Sequence, residues 1–510
     1  MGLALWFIFL CAADYVYFRI RFMKADGPPV WYFFPFVGIL PFYCLPAFLF
    51  KPIYKFYENH FPDVILTRLV LPCVFVKRSA IQDAQSSDHC FPRPSFPLDK
   101  AIASVITGKP FWYIFDGADK NTPWRSIRKS NVQALNVLSN KEKFKKISDS
   151  VDQFLEKIEA QNGRLWDYED ELAFAKVQES ANVNLGRTFE ANVIGSVSHV
   201  IRKISYLFTV ASIVCFLIPV KWLTMVENLF PVATRPTVVK RVYAKLTRRL
   251  IEEKTLPIDE PRDFVESALA LHEPEAALDF LRETVFFNML ATTSTTQHAT
   301  MAVLSYVALD SRVQSKLQLE LERVVGTARL SHDHLNDLHY MRAVVHEAFR
   351  MTPALPSIMR YTTATARIGG YNIESNLPMG LLLNTECSDP KHFPNPGAFI
   401  PERHINEEGE FEASKYFSVF SRGKRRCSGI EIANLSVYIY CAKILQHFEL
   451  VPQSHATVVP TYSGYAGPDS PGIPIRFVRR SGAPVIDAPA LEGGLTAFVM
   501  ETIKEGSIAT

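Results

Sequence analysis

Residues 420–429 read FSRGKRRCSG, a segment that places one cysteine among four cations and two glycines. The run that follows, IEIANLSVYIYCAKIL, is apolar and has helical character. Cations and the N–H groups of a helix start favour the thiolate, the form of cysteine that binds metals. Gly423 allows a sharp turn and a close backbone approach to a flat ligand. The segment therefore predicts a metal-binding role for Cys427, whereas Cys441 in the apolar run reads as a packing residue.

The ligand set around Cys427 narrows the kind of metal. A single thiolate without a nearby His or Cys does not suit zinc, which takes about four ligands. It does suit a haem iron, whose equatorial positions are filled by the porphyrin. From the residues alone, a buried structural cysteine beside a solvated basic loop remains the alternative.

The pattern Phe420-x-x-Gly423-x-Arg425-x-Cys427-x-Gly429 resembles the haem-binding loop of the cytochrome P-450 family, the haem-thiolate monooxygenases. The resemblance implies haem b as cofactor, with Cys427 as its axial ligand. It also implies that Arg425 reaches a haem propionate and that Phe420 shields the sulfur, while Gly423 and Gly429 shape the loop.

A second motif lies in VVHEAFRM, where Glu347 and Arg350 share a helix face at i and i+3. Taken alone, such a pair is a common feature of exposed helices and has little energetic weight. The segment AFIPERH adds Arg403, with His404 where the family usually has an aromatic residue. By resemblance, Glu347, Arg350 and Arg403 form a buried triad that connects the cysteine loop to the core.

Further residues match the family's partners for the haem propionates. In NTPWRSIRK, Trp124 and Arg128 lie at i and i+4 of a predicted helix, and Thr122 is its predicted N-cap. The alternative is an ordinary amphipathic helix start without a ligand. By resemblance Trp124, Arg128 and Arg360 bind haem carboxylates. Four further cations predict a basic face that docks an acidic electron donor: Arg125, Lys129, Lys424 and Arg426. The alternative is that these side chains form only a solvated rim.

A hydroxyl-rich stretch, ATTSTTQHAT, lies within a helix predicted over about 275–308. Such residues can hydrogen-bond to their own backbone and loosen a helix locally. By resemblance, Thr295 is the alcohol that assists proton delivery to dioxygen, and Ser294 occupies the place of the family's acid. A hydroxyl relays a proton but does not supply one at neutral pH. A polar-kinked core helix is the alternative.

Substrate contacts are assigned by family position only. The predicted pocket residues are Ala291, Leu355, Ser357 and Ile358, with Thr295 beside them. An apolar run within 206–230, LFTVASIVCFLIPVKWL, reads as a core helix or as the cover of a substrate channel. An apolar access route favours a lipophilic substrate.

The composition is that of a globular protein of 510 residues, 48% of them hydrophobic and 21% charged. A net charge of +3 gives no reason to expect nucleic acid as a partner, and eight cysteines without CxxC spacing do not indicate a disulfide framework. Long helical patterns with short β-rich pieces at both ends predict a mainly α (α+β) chain. The resemblance implies the P-450 fold, with long helices around a haem and small sheets. The predicted organisation is an anchor (1–24), a proline-rich apolar segment (25–61), the haem domain (62–480) and a tail (481–510).

The N-terminal run is apolar up to Ala13 and is followed by Arg19, Arg21 and Lys24. A spanning helix needs about 20 apolar residues, so this one is short. Cations on its C-terminal side predict an uncleaved single-pass anchor with the catalytic domain in the cytosol, at the endoplasmic reticulum membrane. The run 31–50 is uncharged but interrupted by prolines, which indicates either an interfacial segment or a kinked edge of the domain.

The resemblance carried by these motifs implies a monooxygenase that inserts one atom of dioxygen into a lipophilic small molecule, with electrons from NADPH through a flavin reductase. The residues Ser421-Arg422 before Gly423 look like members from filamentous-fungal natural-product pathways, which suggests a terpenoid or polyketide intermediate. Two alternatives stay open: a haem-thiolate isomerase or dehydratase that works without a reductase, and a haem-binding membrane protein without catalytic activity.

Overall fold

The computed structural model describes residues 2–31, 56–68, 72–90, 92, 124–190, 248–249, 251–254, 258–458, 471–489 and 501. Local sequence explains several helix ends in these segments. The Ser139 hydroxyl accepts a hydrogen bond from the Glu142 N–H at 3.2 Å, and the Asp310 carboxylate accepts one from Val313 at 3.1 Å. Such N-cap side chains satisfy N–H groups that the start of a helix leaves open.

The helices dominate the described chain. They are α1 (Gly2–Phe22), α2 (Ala80–Ser86), α3 (Trp124–Val137), α4 (Asn140–Ala160), α5 (Glu169–Leu185), α6 (Phe264–Leu271), α7 (Pro274–Leu309), α8 (Ser311–Val324), α9 (His339–Met351), α10 (Leu383–Cys387) and α11 (Ile430–His447). Short 3-10 helices cover Asp333–Asn336, Pro401–His404 and Gly423–Arg425. The helix expected over about 275–308 is α7.

The strands form small sheets at the two ends of the chain. They are β1 (Val64–Arg68), β2 (Pro72–Val76), β3 (Leu165–Trp166), β4 (Ile358–Tyr361), β5 (Ala366–Ile368), β6 (Tyr371–Ile373), β7 (Pro378–Leu381), β8 (Phe448–Pro452) and β9 (Ile475–Arg479). The largest sheet has the order β1-β2-β7-β4, in which β2 and β7 run parallel with Val74 opposite Met379. A second sheet has the order β3-β9-β8, and β5 pairs with β6. The predicted mainly α (α+β) class is confirmed.

The main core lies between α4, α7, α9 and α11, whose inward residues are fully buried. Val344 on α9, Leu304 on α7 and Ile444 on α11 each have no exposed surface. Cys441 belongs to the same core, as predicted for a packing cysteine, and burial raises the pKa of its thiol to about 12. Since α11 begins directly after the cysteine loop, this core holds the base of that loop.

The first helix combines an exposed apolar surface with a docked last turn. The Trp6 side chain is 65% exposed and Ile20 is 77% exposed, whereas Phe18 is fully buried in a cluster with residues of the largest sheet. Lys24, just beyond the helix, pairs with Glu374. Within the described segments, we find no helix with the length and apolarity required to cross a bilayer.

Residues after β9 lie against the main domain as far as Pro489. Ile486 packs against the main core, and the Asp487 carbonyl accepts a hydrogen bond from Arg329. The Pro489 carbonyl accepts one from Gln153 at 3.5 Å. The first part of the predicted tail 481–510 therefore shares the surface of the haem domain predicted for 62–480.

Candidate functional site

The cysteine loop connects the core to the start of α11. Gly429 is the N-cap of that helix, and the Cys427 N–H donates to the Phe420 carbonyl at 2.8 Å. The Cys427 side chain is exposed, in contrast to Cys441. A metal-binding thiol needs such access, so the structure separates the two cysteines in the way that their sequence contexts predict.

Gly423 is required by the shape of the loop. Its φ is +66°, and a Cβ built at this position would lie 2.3 Å from the Gln85 carbonyl oxygen of α2. Real Cβ atoms do not approach backbone that closely, and positive φ is costly for other residues. The glycine therefore allows the loop to contact α2 directly.

Phe420 lies within an aromatic group on one side of the loop. Its ring is edge-to-face with Phe349 of α9, with centroids 5.8 Å apart, and lies 6.3 Å from the Phe417 ring. Aromatic pairs at these distances contribute roughly 0.5–1.5 kcal/mol beyond their buried area. The predicted shielding residue is thus part of an apolar wall that joins the loop to α9.

Three guanidinium groups from separate segments contact the loop or form part of it. Arg425 is buried, and its guanidinium lies 3.9 Å from the centroid of the buried Trp124 ring. Arg128, one helical turn further along α3, donates to the Arg426 carbonyl. Trp124 and Arg128 therefore face the same loop, as their i, i+4 spacing predicts.

Arg360 approaches the same loop from the sheet side. It lies on β4, is 1% exposed, and donates to the Ser421 hydroxyl at 3.0 Å and to the Met359 carbonyl at 2.8 Å. Both of these acceptors are neutral oxygens, whereas planar guanidinium groups pair most strongly with carboxylates. Arg360 is therefore suited to bind the carboxylate of a ligand.

This donor set fits haem b. The loop presents one accessible thiol, and the cations around it come from α3, β4 and the loop itself. A porphyrin with two propionates requires one axial ligand and cationic partners for its carboxylates. In the part of the chain that the structure describes, no group of three or more His, Cys, Asp or Glu side chains could hold a metal ion unaided.

The predicted triad is assembled, with Glu347 and Arg350 buried and Arg403 half-buried. Glu347 is fully buried, and its carboxylate receives two 2.8 Å hydrogen bonds from Arg350. Arg403 Nε lies 3.4 Å from Glu347, and the Ile400 N–H donates to the same carboxylate at 3.0 Å. Burial raises the pKa of Glu347, but the hydrogen bonds from Arg350 and His404 outweigh it and hold the pKa at about 2.

His404 is a functional neighbour that sequence reasoning did not assign. It is fully buried, and its Nε2 lies 3.2 Å from the Glu347 carboxylate. In the sequence, the only sign of this role was that a histidine stands where the family usually has an aromatic residue. His404 adds a polar partner to Glu347 where an aromatic ring would add only packing.

The hydroxyls of α7 bond to their own helix, as predicted. Thr295 donates to the Ala291 carbonyl at 2.7 Å, and Ser294 donates to the Leu290 carbonyl at 3.2 Å. Despite these bonds, α7 is one continuous helix through this region. The predicted pocket residues Ala291, Leu355, Ser357 and Ile358 are all half-buried, which leaves part of each side chain accessible.

The predicted basic face is exposed. Arg125, Lys129, Lys424 and Arg426 all carry exposed side chains, and Lys424 forms a 2.6 Å ion pair with Asp88. The proposed N-cap at Thr122, the apolar run within 206–230 and all but the first residue of the run 31–50 lie outside the described residues.

Comparison with known proteins identifies the family. The family model described as Cytochrome P450 matches residues 28–472, which is most of the chain. The chain belongs to the cytochrome P450 family. Haem b is therefore its cofactor.

Curated relatives are mammalian cytochromes P450. The chain is 34% identical to cytochrome P450 2E1 of Oryctolagus cuniculus over 220 residues, which cover 41% of this chain and 44% of that protein. It is 31% identical to cytochrome P450 2C15 of the same organism over 247 residues, covering 45% and 65% of the two chains. The matched regions thus span 44% and 65% of the lengths of these relatives, less than two thirds in each case.

Proposed function

We propose that this cytochrome P450 is a monooxygenase that inserts one atom of dioxygen into a lipophilic small molecule. The observation that carries this proposal is the exposed thiol of Cys427 in a loop that buried arginines contact. Bound haem supplies the centre at which dioxygen binds and is activated. The residues of the chain bind that cofactor, exclude water and direct protons.

In this proposal the Cys427 thiolate would hold the haem iron, and the surrounding cations would hold the propionates. Arg128, Arg360 and Arg425 neutralise the two carboxylates, and Trp124 fixes the plane of Arg425 by stacking. Phe420 keeps water from the sulfur. A thiolate in such a cationic environment is a stable metal ligand.

Thr295 and Ser294 are proposed as the proton-handling residues. Both hydroxyl protons are engaged by backbone carbonyls of the preceding turn, which leaves the oxygen lone pairs available to accept hydrogen bonds. Ala291, Leu355, Ser357 and Ile358 are the proposed substrate contacts.

The proposed partners are an NADPH-dependent flavin reductase, dioxygen, a membrane and a lipophilic substrate. The exposed cations Arg125, Lys129 and Arg426 support docking of an acidic electron donor. A terpenoid or polyketide intermediate of secondary metabolism is the proposed substrate class, on the basis of Ser421-Arg422 in the loop. Nucleic acid is not among the proposed partners, because the net charge is only +3.

We further propose that α1 attaches the protein to the endoplasmic reticulum membrane as a single-pass anchor, with the haem domain in the cytosol. The exposed apolar side chains of Trp6, Ile8 and Phe9 support this proposal. Replacing these three residues with serine is expected to release the protein from membranes in a flotation assay. Phe18 is left unchanged so that the docked last turn stays intact; continued membrane attachment of this variant would contradict the proposal.

The test of the main proposal begins with the full chain, expressed with a reductase and offered a panel of lipophilic substrates. The reduced, carbon-monoxide-treated protein is expected to show the absorption band of thiolate-ligated haem, and Cys427→Ala is expected to lose it. Product formation is expected to require both dioxygen and reductase and to incorporate one atom of labelled dioxygen. An unchanged spectrum in the Cys427→Ala protein would refute the ligand assignment.

A second candidate is a haem-thiolate isomerase or dehydratase. It is favoured by Ser294 in the place of an acid, because a hydroxyl bound to the Leu290 carbonyl is a poor proton source. This candidate predicts turnover of an oxygenated substrate without reductase and without dioxygen. An anaerobic assay therefore separates the two functions, while no product under either condition supports a non-catalytic haem protein.

A further inference from the structure

The short helix α10 connects the buried triad to the cysteine loop. The Cys387 carbonyl, at its last residue, accepts a 2.9 Å hydrogen bond from Arg350 of the triad. The preceding residue, Glu386, has a side chain with no exposed surface. Its carboxylate points to the loop, so two adjacent residues of α10 contact the two parts of the site.

Glu386 receives polar contacts from both ends of one turn of the loop. The Ser418 hydroxyl donates to Oε2, and the Arg422 guanidinium lies 3.6 Å from Oε1. Gln82 of α2 donates to Oε1 at 2.8 Å. These donors compensate for the cost of burying a carboxylate, which without partners is prohibitive.

The turn between Ser418 and Arg422 has a conformation that requires support. Ser421 has a φ of +59°, in the left-handed region that non-glycine residues rarely adopt. The same turn contains Phe420, whose carbonyl accepts the Cys427 N–H at 2.8 Å. A displacement of the turn would therefore move the backbone that carries the thiol.

We propose that Glu386 is a positioning residue for the haem ligand: its buried carboxylate fixes the 418–422 turn and places a negative charge, opposed by Arg422, beside the Cys427 loop. This inference rests on the proposed role of Cys427. Charge acts over longer distances in the protein interior than in water. A buried anion beside the loop that would hold the iron disfavours the added electron, and the cation of Arg422 favours it.

The two charges therefore have opposite effects on the haem reduction potential. Glu386→Gln keeps the size of the side chain and removes its charge, so the potential is expected to rise. Arg422→Gln removes a partly exposed cation, so the potential is expected to fall. A purely structural role does not predict opposite signs for two residues in one contact.

The experiment measures the reduction potential of the haem-loaded full chain and amide hydrogen exchange of the 418–427 segment. For Glu386→Gln, exchange of the Cys427 amide is expected to become roughly tenfold faster, as when one partner of a buried polar contact is lost. The matched control is Glu320→Gln on α8, a buried carboxylate that binds the Tyr340 and Met341 N–H groups instead of the loop. This control is expected to leave both readouts at their wild-type values.

Failure of the inference is distinguishable from failure of the proposed function. If the wild-type protein lacks the thiolate spectrum, the role of Cys427 is wrong. If it has that spectrum, but the Glu386 and Arg422 variants share its potential and loop exchange, only the role of Glu386 is refuted. If Glu386→Gln does not fold, Ser418→Ala, which removes one donor to the Glu386 carboxylate, replaces it: faster exchange of the Cys427 amide supports the role of Glu386, and unchanged exchange refutes it.

Discussion

Gly423 shows how a single residue sets the shape of the cysteine loop. Its lack of a Cβ permits contact with the Gln85 carbonyl, and its positive φ turns the chain toward Arg425 and Cys427. No side chain fits at this position without moving backbone. The motif glycine is therefore explained by geometry as well as by family resemblance.

Gly423→Ala is expected to destabilise the protein by more than about 2 kcal/mol, because the new Cβ meets backbone and the left-handed conformation is costly. Haem content is expected to fall with stability. The matched control is Gly409→Ala, where φ is +83° but nothing lies within 4 Å of the new Cβ. That variant should lose only about 1 kcal/mol of unfolding free energy, which is the cost of the left-handed backbone conformation alone. Equal losses of unfolding free energy in the two variants would show that contact with Gln85 is unimportant.

Ser294→Asp is expected to reduce the fraction of electrons that is lost as hydrogen peroxide. A carboxyl group can supply a proton, whereas the Ser294 hydroxyl can only relay one. The measurement compares peroxide with NADPH consumed, and Ser294→Ala is the control that removes the hydroxyl without adding an acid. Unchanged peroxide formation in Ser294→Asp would mean that proton delivery at this position does not limit the reaction.

At the scale of elements, one buried carboxylate connects α9 to the Pro401–His404 helix. Glu347 on α9 contacts Arg350 of its own helix and both Arg403 and His404 of the second element. The Arg350 guanidinium then reaches α10 through the Cys387 carbonyl. The predicted connection between triad and cysteine loop thus passes through α10.

Glu347→Gln is expected to cost about 3–5 kcal/mol of unfolding free energy, since it leaves the buried Arg350 without its anionic partner. The measurement is urea unfolding of the purified protein. Glu402→Gln is the matched control. Glu402 lies on the Pro401–His404 helix that Glu347 contacts, but it is partly exposed and pairs with Arg312 and Lys316. It is expected to cost at most about 1 kcal/mol. If both variants lose the same amount, burial of the triad has no special weight.

Local elements were predictable to different degrees. The helix predicted over about 275–308 and the helical character of the run after Gly429 agree with α7 and α11 in the structure. His404 and Glu386 were not assigned roles. Glu347, the partner of His404, lies 57 residues away in the chain, and Gln82, a partner of Glu386, lies 304 residues away. No local sequence pattern therefore indicates these contacts.

At the scale of the whole molecule, buried titratable groups make the fold sensitive to acid. Burial lowers the pKa of His346 to about 3 and that of His298 to about 4, from 6.5. In the same acidic range the pKa of Glu347 is held at about 2 rather than 4.5. Below pH 6.5 the unfolded chain binds protons at the histidines that the folded protein does not, so stability falls as the pH falls.

Between about pH 7.5 and pH 5, each of these histidines is expected to remove about 2 kcal/mol of stability. Urea unfolding at the two pH values measures the sum. His346→Phe is expected to remove the contribution of that histidine and so flatten the pH dependence, because a phenyl ring fits among Phe411 and Phe417 and binds no proton. An undiminished pH dependence in this variant would show that His346 is not kept neutral by burial.

The sequence by itself determined the loop around Cys427, the helical pattern and the order of the motifs, because each depends on residues that are close together in the chain. Tertiary structure decided which charges are buried, that His404 and Glu386 have polar partners, and that α10 connects the triad to the loop. These features arise from contacts between segments far apart in the chain. Burial changes the energy of a charge far more than its sequence neighbours do, and only the folded chain specifies burial.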